Sequence, residues 1–287
     1  SLTRLPDRTP FITVLRWFGK CFPGDFLKTF MYLHLVAAPR RVCRKLLFSF
    51  YRVDQIYTVL KEVKRTYSGS FAILEMGTAN GYSFAKMLYA TRYLGMEEEV
   101  TVHAFDSFEG LRLSEDLEDK GLTGPDWQQG QYKGDFEIMK EYCEGKGYKN
   151  YRIHRGYFED SMTPEVIEQF KVQKPILVWV DCDYYGSTKT LFERLLPILP
   201  SGCVFYFDDY DFNFGSRFTG EARLVHEVNQ GSFGDDLELL LDTELSLDSR
   251  RVYRFIRYGD DIVQYNRLPS ENWEGKPRPI ADGSPFP

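Results

Sequence analysis

Residues 71–83 read FAILEMGTANGYS, and this segment decides the fold. Its first six residues are mostly apolar and predict a buried strand that leads into a glycine-containing turn. Gly77 and Gly81 allow the backbone of this turn to pass close to a ligand before a helix starts. That helix is predicted from apolar residues on one face: Phe84, Met87 and Leu88. The segment therefore indicates a strand–turn–helix unit with a binding site at its turn.

The same alternation of strand and helix continues along the chain. The next elements are predicted as strand 100–105, helix 136–144, strand 151–154, a helix from Thr163-Pro164, strand 175–180, helix 191–199, strand 203–207 and helix 221–229. This alternation predicts a parallel, doubly wound α/β sheet. Two closing strands, 237–241 and 251–257, are joined by a short turn around Asp248 and predict an antiparallel last strand.

Residues 1–69 are predicted to form a helical extension ahead of an α/β domain at 70–260. Apolar residues repeat there at helical spacing after Asp54, a helix-capping residue type: Ile56, Val59, Leu60 and Val63. Residues 1–70 carry 13 basic and 4 acidic residues, whereas the rest carries 23 and 38. The basic helices are expected either to pack on the acidic body or to meet an anionic substrate or membrane surface. The acidic body argues against nucleic-acid binding.

Several other features of the sequence limit the class of protein to which the chain can belong. Residues 261–287 are rich in Pro, Gly and polar residues and predict an extended tail. The polar loop at 111–134, which contains Trp127, is too long for a plain connection and predicts a substrate loop. The five cysteines form no C-x-x-C pair, which is typical of reduced thiols in a cytoplasmic protein. The longest uncharged stretch of the apolar amino-terminal part, residues 29–39, is about half of a membrane span.

Carboxylates stand at the ends of four predicted strands: Glu75, Asp106, Asp181 with Asp183, and Asp208 with Asp209. In an open parallel sheet, a ligand binds outside the carboxyl ends of the strands. A single acid at such a place is commonly a helix cap. Four acidic strand ends at one rim of the sheet predict a binding site.

The first turn favours a cofactor without pyrophosphate. Position 79 is Ala, so the G-x-G-x-x-G fingerprint of dinucleotide-binding folds is incomplete. Asp106 is suited to hydrogen bond ribose hydroxyls, and Glu75 is suited to bind a cationic amino group. These features fit S-adenosylmethionine (SAM) better than NAD, which the alternative hypothesis of an oxidoreductase requires.

Asp181, Asp208 and Asp209 follow adjacent strands and are expected to converge. Three close carboxylates repel one another unless protons or a cation lie between them. Hard oxygen ligands of this kind suit Mg²⁺ or another divalent cation, which lowers the pKa of a bound hydroxyl. The sequence therefore predicts metal-dependent methylation of a hydroxyl group. The alternative is that one acid caps the next helix while the others face solvent.

Several segments resemble known methyltransferases. Residues 75–87 are similar to the first motif of catechol-type, metal-dependent O-methyltransferases. Later segments resemble the macrocin O-methyltransferase (TylF-type) family more closely: DSFEGL at 106–111, GDF at 134–136, DCDYYGST at 181–188 and DDY at 208–210. The resemblance spans residues 70–230 and implies a Rossmann-like class I methyltransferase sheet.

The resemblance also implies the residues of the site. TylF-type enzymes methylate sugar hydroxyls of natural products with Mg²⁺, and Asp181, Asp208 and Asp209 match their metal ligands. The implied cofactor contacts are Glu75, Gly77, Thr78, Gly81, Ser83, Asp106, Ser107, Tyr157, Phe158 and Glu159, the last three in a segment that borders the adenine ring.

The general base stays open at this stage. Catechol-type enzymes carry a lysine three residues after the first metal aspartate, where this chain has Tyr184. Asp183, Asp211 and His226 are the candidate bases, and Asp181 would act through the metal. The other histidines lie in apolar segments and are expected to be packing residues: His34, His103 and His154.

The sequence thus predicts a cytoplasmic, SAM-dependent O-methyltransferase acting on a sugar of a natural product or glycan. The alternatives are a phenolic acceptor such as a catechol, and a non-catalytic membrane-surface or interaction module. Aromatic residues near the strand ends are expected to contact the acceptor: Tyr184, Tyr185 and Phe212. A homodimer or higher homo-oligomer is expected from the apolar amino-terminal helices, with peripheral membrane contact as an open alternative.

Overall fold

The structure describes four stretches of the chain. In this computed structural model they are residues 54–66, 68–112, 128–246 and 250–259. Several predictions fall outside the described residues: the helices before residue 54 with Cys21, His34 and Cys43, the loop around Trp127, the turn at Asp248 and the tail at 261–287.

Strands and helices alternate throughout the described stretches. Their bounds are α1 Asp54–Thr66, β1 Phe71–Met76, α2 Tyr82–Tyr93, β2 Val100–Asp106, α3 Phe136–Gly145, β3 Tyr151–Arg155, α4 Phe158–Ser161, α5 Pro164–Gln169, β4 Lys174–Val180, α6 Tyr185–Leu195, β5 Val204–Phe207, α7 Gly220–Asn229, β6 Leu237–Leu241 and β7 Arg251–Arg257. Short 3₁₀ turns follow α6 at Leu196–Ile198 and β5 at Phe212–Gly215.

In the part of the chain that the structure describes, seven strands form one sheet in the order β3-β2-β1-β4-β5-β7-β6. Strands β1 to β5 pair in parallel, whereas β7 runs antiparallel to both β5 and β6. The predicted α/β sheet with an antiparallel last strand is therefore confirmed, and β7 lies one position inside the edge. The strand order reverses between β1 and β4, and open α/β sheets bind ligands at such a switch point.

Two local features differ from the sequence prediction. The helix after β4 begins at Tyr185 and not at Leu191, because its first turn is polar and shows no apolar period. The hydroxyls of Thr188 and Thr190 instead bond to backbone carbonyls one turn earlier, at 2.8 and 2.9 Å. Helix α4 was not predicted, because four residues are too few to show a helical period.

Helices cover both faces of the sheet. On one face α1 and α2 pack against a core that includes the stacked rings of Trp179 and Tyr206, whose centroids are 3.6 Å apart. On the other face α6 and α7 pack against a second core. The predicted apolar face of α1 is confirmed, since its four members are buried: Ile56, Val59, Leu60 and Val63.

Two of the histidines are packing residues. The Nδ1 atom of His103 and the Nε2 atom of His154 are 3.0 Å apart, and both rings pack against phenylalanine rings. Burial is the main cause that lowers the pKa of His103 to about 3 and that of His154 to about 4. The described cysteines are free and buried: Cys143, Cys182 and Cys203. Within the four described stretches, no helix has the length and apolar character needed to cross a membrane.

Arg254 ties α1 to the sheet, and its removal is expected to destabilise the fold. Its guanidinium contacts Glu62 at 3.1 Å and Asp242 at 3.2 Å, and all three side chains are largely buried. Arg254→Ala leaves two buried carboxylates without this cation, so we expect a loss of about 3–5 kcal/mol in the free energy of unfolding. Urea denaturation measures this loss. Lys171→Ala, which removes an exposed ion pair, is the control and should change stability by about 0.5 kcal/mol or less. A loss below about 1 kcal/mol for Arg254→Ala would contradict the expectation.

Candidate active site

A cavity of about 650 Å³ opens at the carboxyl ends of β1, β2, β4 and β5, beside the switch point of the sheet. Most of the predicted site residues line it: Gly77, Thr78, Ser83, Asp106, Ser107, Tyr157, Phe158, Glu159, Asp181, Asp183, Asp208 and Asp209. Glu75, Gly81 and His226 are not among the lining residues. The predicted metal ligands and most of the predicted cofactor contacts therefore share one cavity.

The turn after β1 lies directly against the end of β4. Gly77 has a φ of +87°, and a Cβ atom there would lie 2.0 Å from the carbonyl oxygen of Asp181. The Asp181 amide donates to the Met76 carbonyl, and the Gly77 amide donates to the Phe105 carbonyl, each at 2.9 Å. Glycine at position 77 thus allows three strand ends to meet beside the cavity.

Asp106 joins the first turn to the loop after β2. One carboxylate oxygen accepts a hydrogen bond from the Ala79 amide at 2.7 Å, and the other accepts one from the Phe108 amide at 2.6 Å. Ala79 and Phe108 have positive φ angles of 45° and 58°, so the carboxylate stabilises two strained turns. Each carboxylate oxygen has a second lone pair, which leaves Asp106 acceptor capacity for ribose hydroxyls.

Glu75 lies behind the cavity wall and is fully buried. Within the described residues, neither of its carboxylate oxygens has a hydrogen-bond partner. Burial raises the pKa of Glu75 to about 8, although the hydroxyls of Ser83 and Thr78 partly offset this effect. A buried carboxyl group with unpaired oxygens is stable only when it is protonated or next to a cation. Glu75 therefore fits either a proton on its carboxyl group or a positively charged group beside it.

The segment after β3 forms another wall of the cavity. The Tyr157 hydroxyl donates to Glu109 at 3.3 Å, and Glu159 forms an ion pair with Arg112 at 3.0 Å. The Arg112 guanidinium also lies 5.6 Å from the centre of the Tyr157 ring. With Phe158 these contacts give a wall of flat groups that suits an aromatic ligand ring.

Asp181, Asp208 and Asp209 converge on the wall of the cavity. One carboxylate oxygen from each residue lies within 4.8 Å of the others, because β4 and β5 pair in parallel and end together. These hard oxygen ligands fit a divalent cation such as Mg²⁺, which binds carboxylates together with water or substrate oxygens. The residues that the sequence predicts as metal ligands are therefore close enough to hold one ion.

Two side chains that the sequence analysis missed hold Asp208. Its Oδ1 atom accepts hydrogen bonds from the Tyr206 hydroxyl at 3.2 Å and from Nε of Arg250 at 3.3 Å, and all three residues are buried. Arg250 comes immediately before β7, whose antiparallel pairing places Arg251 opposite Phe207 at the end of β5. A sequence with no known pairing gives no signal for this contact.

Of the three candidate bases, Asp183 is the one that lines the cavity. It is buried, has a φ of +62°, and its pKa is raised well above the usual range by burial and by the neighbouring Asp209. Asp211 forms an ion pair with Arg251 at 3.0 Å. His226 lies in the last turn of α7, away from the helix start that borders the acids.

Glu221 is a further acidic residue that the sequence analysis missed. It belongs to the first turn of α7, is buried, and accepts a hydrogen bond from the Asp209 amide at 3.1 Å. Acidic residues are common in first helical turns because they interact favourably with the helix dipole. The sequence alone therefore does not distinguish Glu221 from an ordinary first-turn acid.

The predicted aromatic contacts divide into two groups. Tyr184 and Phe212 line the cavity. Tyr185 instead packs between α6 and α7, where its hydroxyl donates to Glu227 and its ring lies 3.9 Å from the Arg223 guanidinium. Tyr184 and Phe212 are thus the two that an acceptor would meet.

Glu75→Gln is expected to reduce the loss of stability as the pH rises from 5 to 8. The pKa of Glu75 is about 8 in the folded protein and 4.5 for an ordinary glutamate, so the unfolded chain ionises first. Unfolding then releases a proton, and the contribution of Glu75 to stability decreases as the pH rises between these values. The melting temperature of the ligand-free wild type should fall more than that of Glu75→Gln between pH 5 and pH 8. Glu98→Gln, an exposed control, should follow the wild type, and equal falls for all three proteins would contradict the expectation.

Comparison with known proteins gives a family match for the central part of the chain. The methyltransferase domain family matches residues 74–210, which run from β1 to the loop after β5. No curated protein sequence matches the chain.

Solved structures share the fold. The O-methyltransferase NovP is 18% identical, with a TM-score of 0.55 over 72% of this chain and 81% of its own. The calicheamicin methyltransferase CalS11 is also 18% identical, with a TM-score of 0.58 over 89% of this chain and 94% of its own. At these identities the likeness shows the fold alone. Residues 74–210 therefore match a methyltransferase domain and lie in a sheet with the methyltransferase fold, and the prediction of a SAM-dependent O-methyltransferase is confirmed.

Proposed function

We propose that the protein transfers the methyl group of SAM to a hydroxyl oxygen, with a divalent cation at Asp181, Asp208 and Asp209. One observation carries this proposal. The three carboxylates converge within 4.8 Å on the wall of the same cavity that Asp106 and Tyr157 line. A hydroxyl is a weak nucleophile at neutral pH, and a hard cation beside the methyl donor is suited to activate it.

The cofactor side of the cavity fits SAM, which supplies the methyl group when bound. Asp106 would accept hydrogen bonds from the ribose hydroxyls while it keeps its bonds to the two turn amides. The unpaired oxygens of Glu75 would neutralise the amino group. Tyr157 and Phe158 would border the adenine ring. The remaining cofactor contacts in this proposal are Gly77, Thr78, Gly81, Ser83, Ser107 and Glu159.

A divalent cation held by the three aspartates would lower the pKa of the acceptor hydroxyl. The chain prepares this site with its own hydrogen bonds. Tyr206 and Arg250 hold one oxygen of Asp208, so the direction of this carboxylate is set before a ligand enters. Because the Asp208 carboxylate is already oriented, little rearrangement would be needed when negative charge develops on the acceptor oxygen.

Asp183 is the residue that we assign as general base. It lines the cavity and follows Asp181, a proposed metal ligand, by two residues. It would accept the hydroxyl proton on one carboxylate oxygen as the methyl group is transferred. The walls of the cavity would contribute further by holding donor and acceptor in line, an effect worth up to roughly 7–11 kcal/mol.

A sugar hydroxyl is the acceptor class that we propose. The resemblance of the DCDYYGST and DDY segments to TylF-type enzymes supports it. CalS11, in a structure described as that of a TDP-rhamnose 3'-O-methyltransferase, shares the fold over 89% of this chain and 96% of its own, with 17% identity and a TM-score of 0.51. Tyr184 and Phe212 offer aromatic faces on which a sugar ring can pack.

Asp106→Asn is expected to weaken SAM binding by about tenfold or more, because hydrogen bonds to a charged acceptor contribute about 1.5–3 kcal/mol. Isothermal titration calorimetry with SAM, and separately with NAD, measures this. The wild type should bind SAM saturably and NAD not at all, and the exposed control Asp236→Asn should behave as the wild type. A folded wild type that binds NAD and not SAM would contradict the cofactor assignment.

Methyl transfer is expected to require a divalent cation. The protein would be incubated with SAM and either TDP-rhamnose or catechol, and formation of S-adenosylhomocysteine would be followed. EDTA should abolish transfer to the sugar, Mg²⁺ in excess should restore it, and Asp209→Asn should not respond to Mg²⁺. Transfer that is unaffected by EDTA would contradict the role of the cation, and transfer to catechol alone would replace the sugar with a phenol.

A further inference from the structure

Glu221 lies directly behind the acidic cluster, and the proposed chemistry leaves it without a role. Its side chain is 1% exposed. The Oε2 atom accepts a hydrogen bond from the Asp209 amide at 3.1 Å. The Oε1 atom is buried and has no hydrogen-bond partner within the described residues. One carboxylate oxygen thus holds the backbone of a proposed metal ligand, and the other is unpaired.

This contact differs from ordinary helix capping. An acid that caps a helix accepts hydrogen bonds from amides of its own first turn. The partner of Glu221 lies 12 residues earlier, in the loop after β5. The start of α7 is held close to the site, since a Cβ atom on Gly220 would lie 3.7 Å from the carbonyl oxygen of Asp183. Helix α7 therefore places its first acidic side chain directly behind the acids that line the cavity.

The surroundings of Glu221 are electrostatically unfavourable for a carboxylate with a structural role alone. Its carboxyl group is buried, accepts a hydrogen bond from the Asp209 amide, and lies near four other acids: Asp209, Asp181, Asp208 and Asp183. A neutral glutamine would hold the Asp209 amide equally well and would not add to this repulsion. A fifth acid at this place is explained when a cation occupies the cluster.

We propose that Glu221 is a positioning residue of the cation site, which fixes the backbone of Asp209 and adds negative charge that strengthens cation binding. This inference rests on the proposed site at Asp181, Asp208 and Asp209. Glu221 does not touch the acceptor or the cofactor in this arrangement. Outer partners of metal ligands typically change metal affinity by 10–100-fold when they are altered.

Glu221→Gln separates this role from a structural one. Glutamine has the same size and keeps an oxygen that accepts the Asp209 hydrogen bond, but it carries no charge. We expect the variant to bind Mn²⁺ about 10–100-fold more weakly than the wild type in calorimetric titrations without SAM. Its melting temperature without metal should equal or exceed that of the wild type. A residue with a structural role alone would leave Mn²⁺ affinity unchanged in this variant.

Two further variants complete the experiment. Glu193→Gln removes an exposed carboxylate on α6 and should keep Mn²⁺ affinity within about twofold of the wild type. Glu221→Asp keeps the charge but shortens the reach, so its affinity should lie between those of the wild type and Glu221→Gln. If Glu221→Gln does not fold, Glu221→Asp is measured in its place. Wild-type Mn²⁺ affinity in Glu221→Asp would then overturn the proposal.

The outcomes distinguish this inference from the proposed function. Wild-type Mn²⁺ affinity in Glu221→Gln overturns the role of Glu221 and leaves the cation site at the three aspartates intact. A wild type that binds SAM but not Mn²⁺ overturns both the cation site and the role of Glu221, while the methyltransferase assignment stands. Weakened binding in Glu221→Gln, with normal binding in Glu193→Gln, supports the proposal.

Discussion

The close approach of the first turn to the end of β4 is the constraint on which the rest of the site depends. Because Gly77 has no side chain, the carbonyl of Asp181 lies where a Cβ atom would otherwise be. The turn after β1 therefore packs directly against the backbone of Asp181, the first acid of the cluster, with no side chain between them. Parallel pairing of β4 with β5 then brings Asp208 to the same rim. A side chain at position 77 would force the turn and the cluster apart.

Carboxylates hold this rim together as well as facing the cavity. Asp106 accepts hydrogen bonds from the amides of two strained turns, and Glu221 accepts one from the loop after β5. Asp208 is held by Tyr206 and Arg250. These bonds fix backbone conformations that would otherwise be unfavourable, so the acidic side chains have defined positions in the absence of any ligand.

The fold and the acidic rim were predictable because both follow from period and topology. Apolar strands alternate with amphipathic helices, and parallel strands place their carboxyl ends at one edge. Asp106, Asp181 and Asp208 could therefore be assigned to one site from their positions alone. The start of α6 was predicted too late, since its first turn is polar and no apolar face marks it in the sequence.

Other parts of the site depend on contacts between distant segments, which no local pattern in a single sequence indicates. Arg250 reaches Asp208 because β7 pairs antiparallel with β5, and no local pattern indicates that pairing. Glu221 has the appearance of an ordinary first-turn acid. His226 was a plausible base by its place after the DDY segment, but the helix carries it to the far end of α7. Position along a helix axis and pairing across a sheet are both properties of the assembled fold.

The concentration of acids at the rim has a consequence for the order of events around methyl transfer. The sulfur of SAM is a sulfonium centre, and it becomes a neutral thioether once its methyl group has left. Within the described residues, four acids, one of them paired with the guanidinium of Arg250, line this part of the cavity and a fifth is buried behind them: Asp181, Asp183, Asp208, Asp209 and Glu221. A negative potential of this kind attracts the charged donor more strongly than the spent product. Under the proposed function, the acids that would prepare the acceptor would therefore also favour exchange of used for fresh donor.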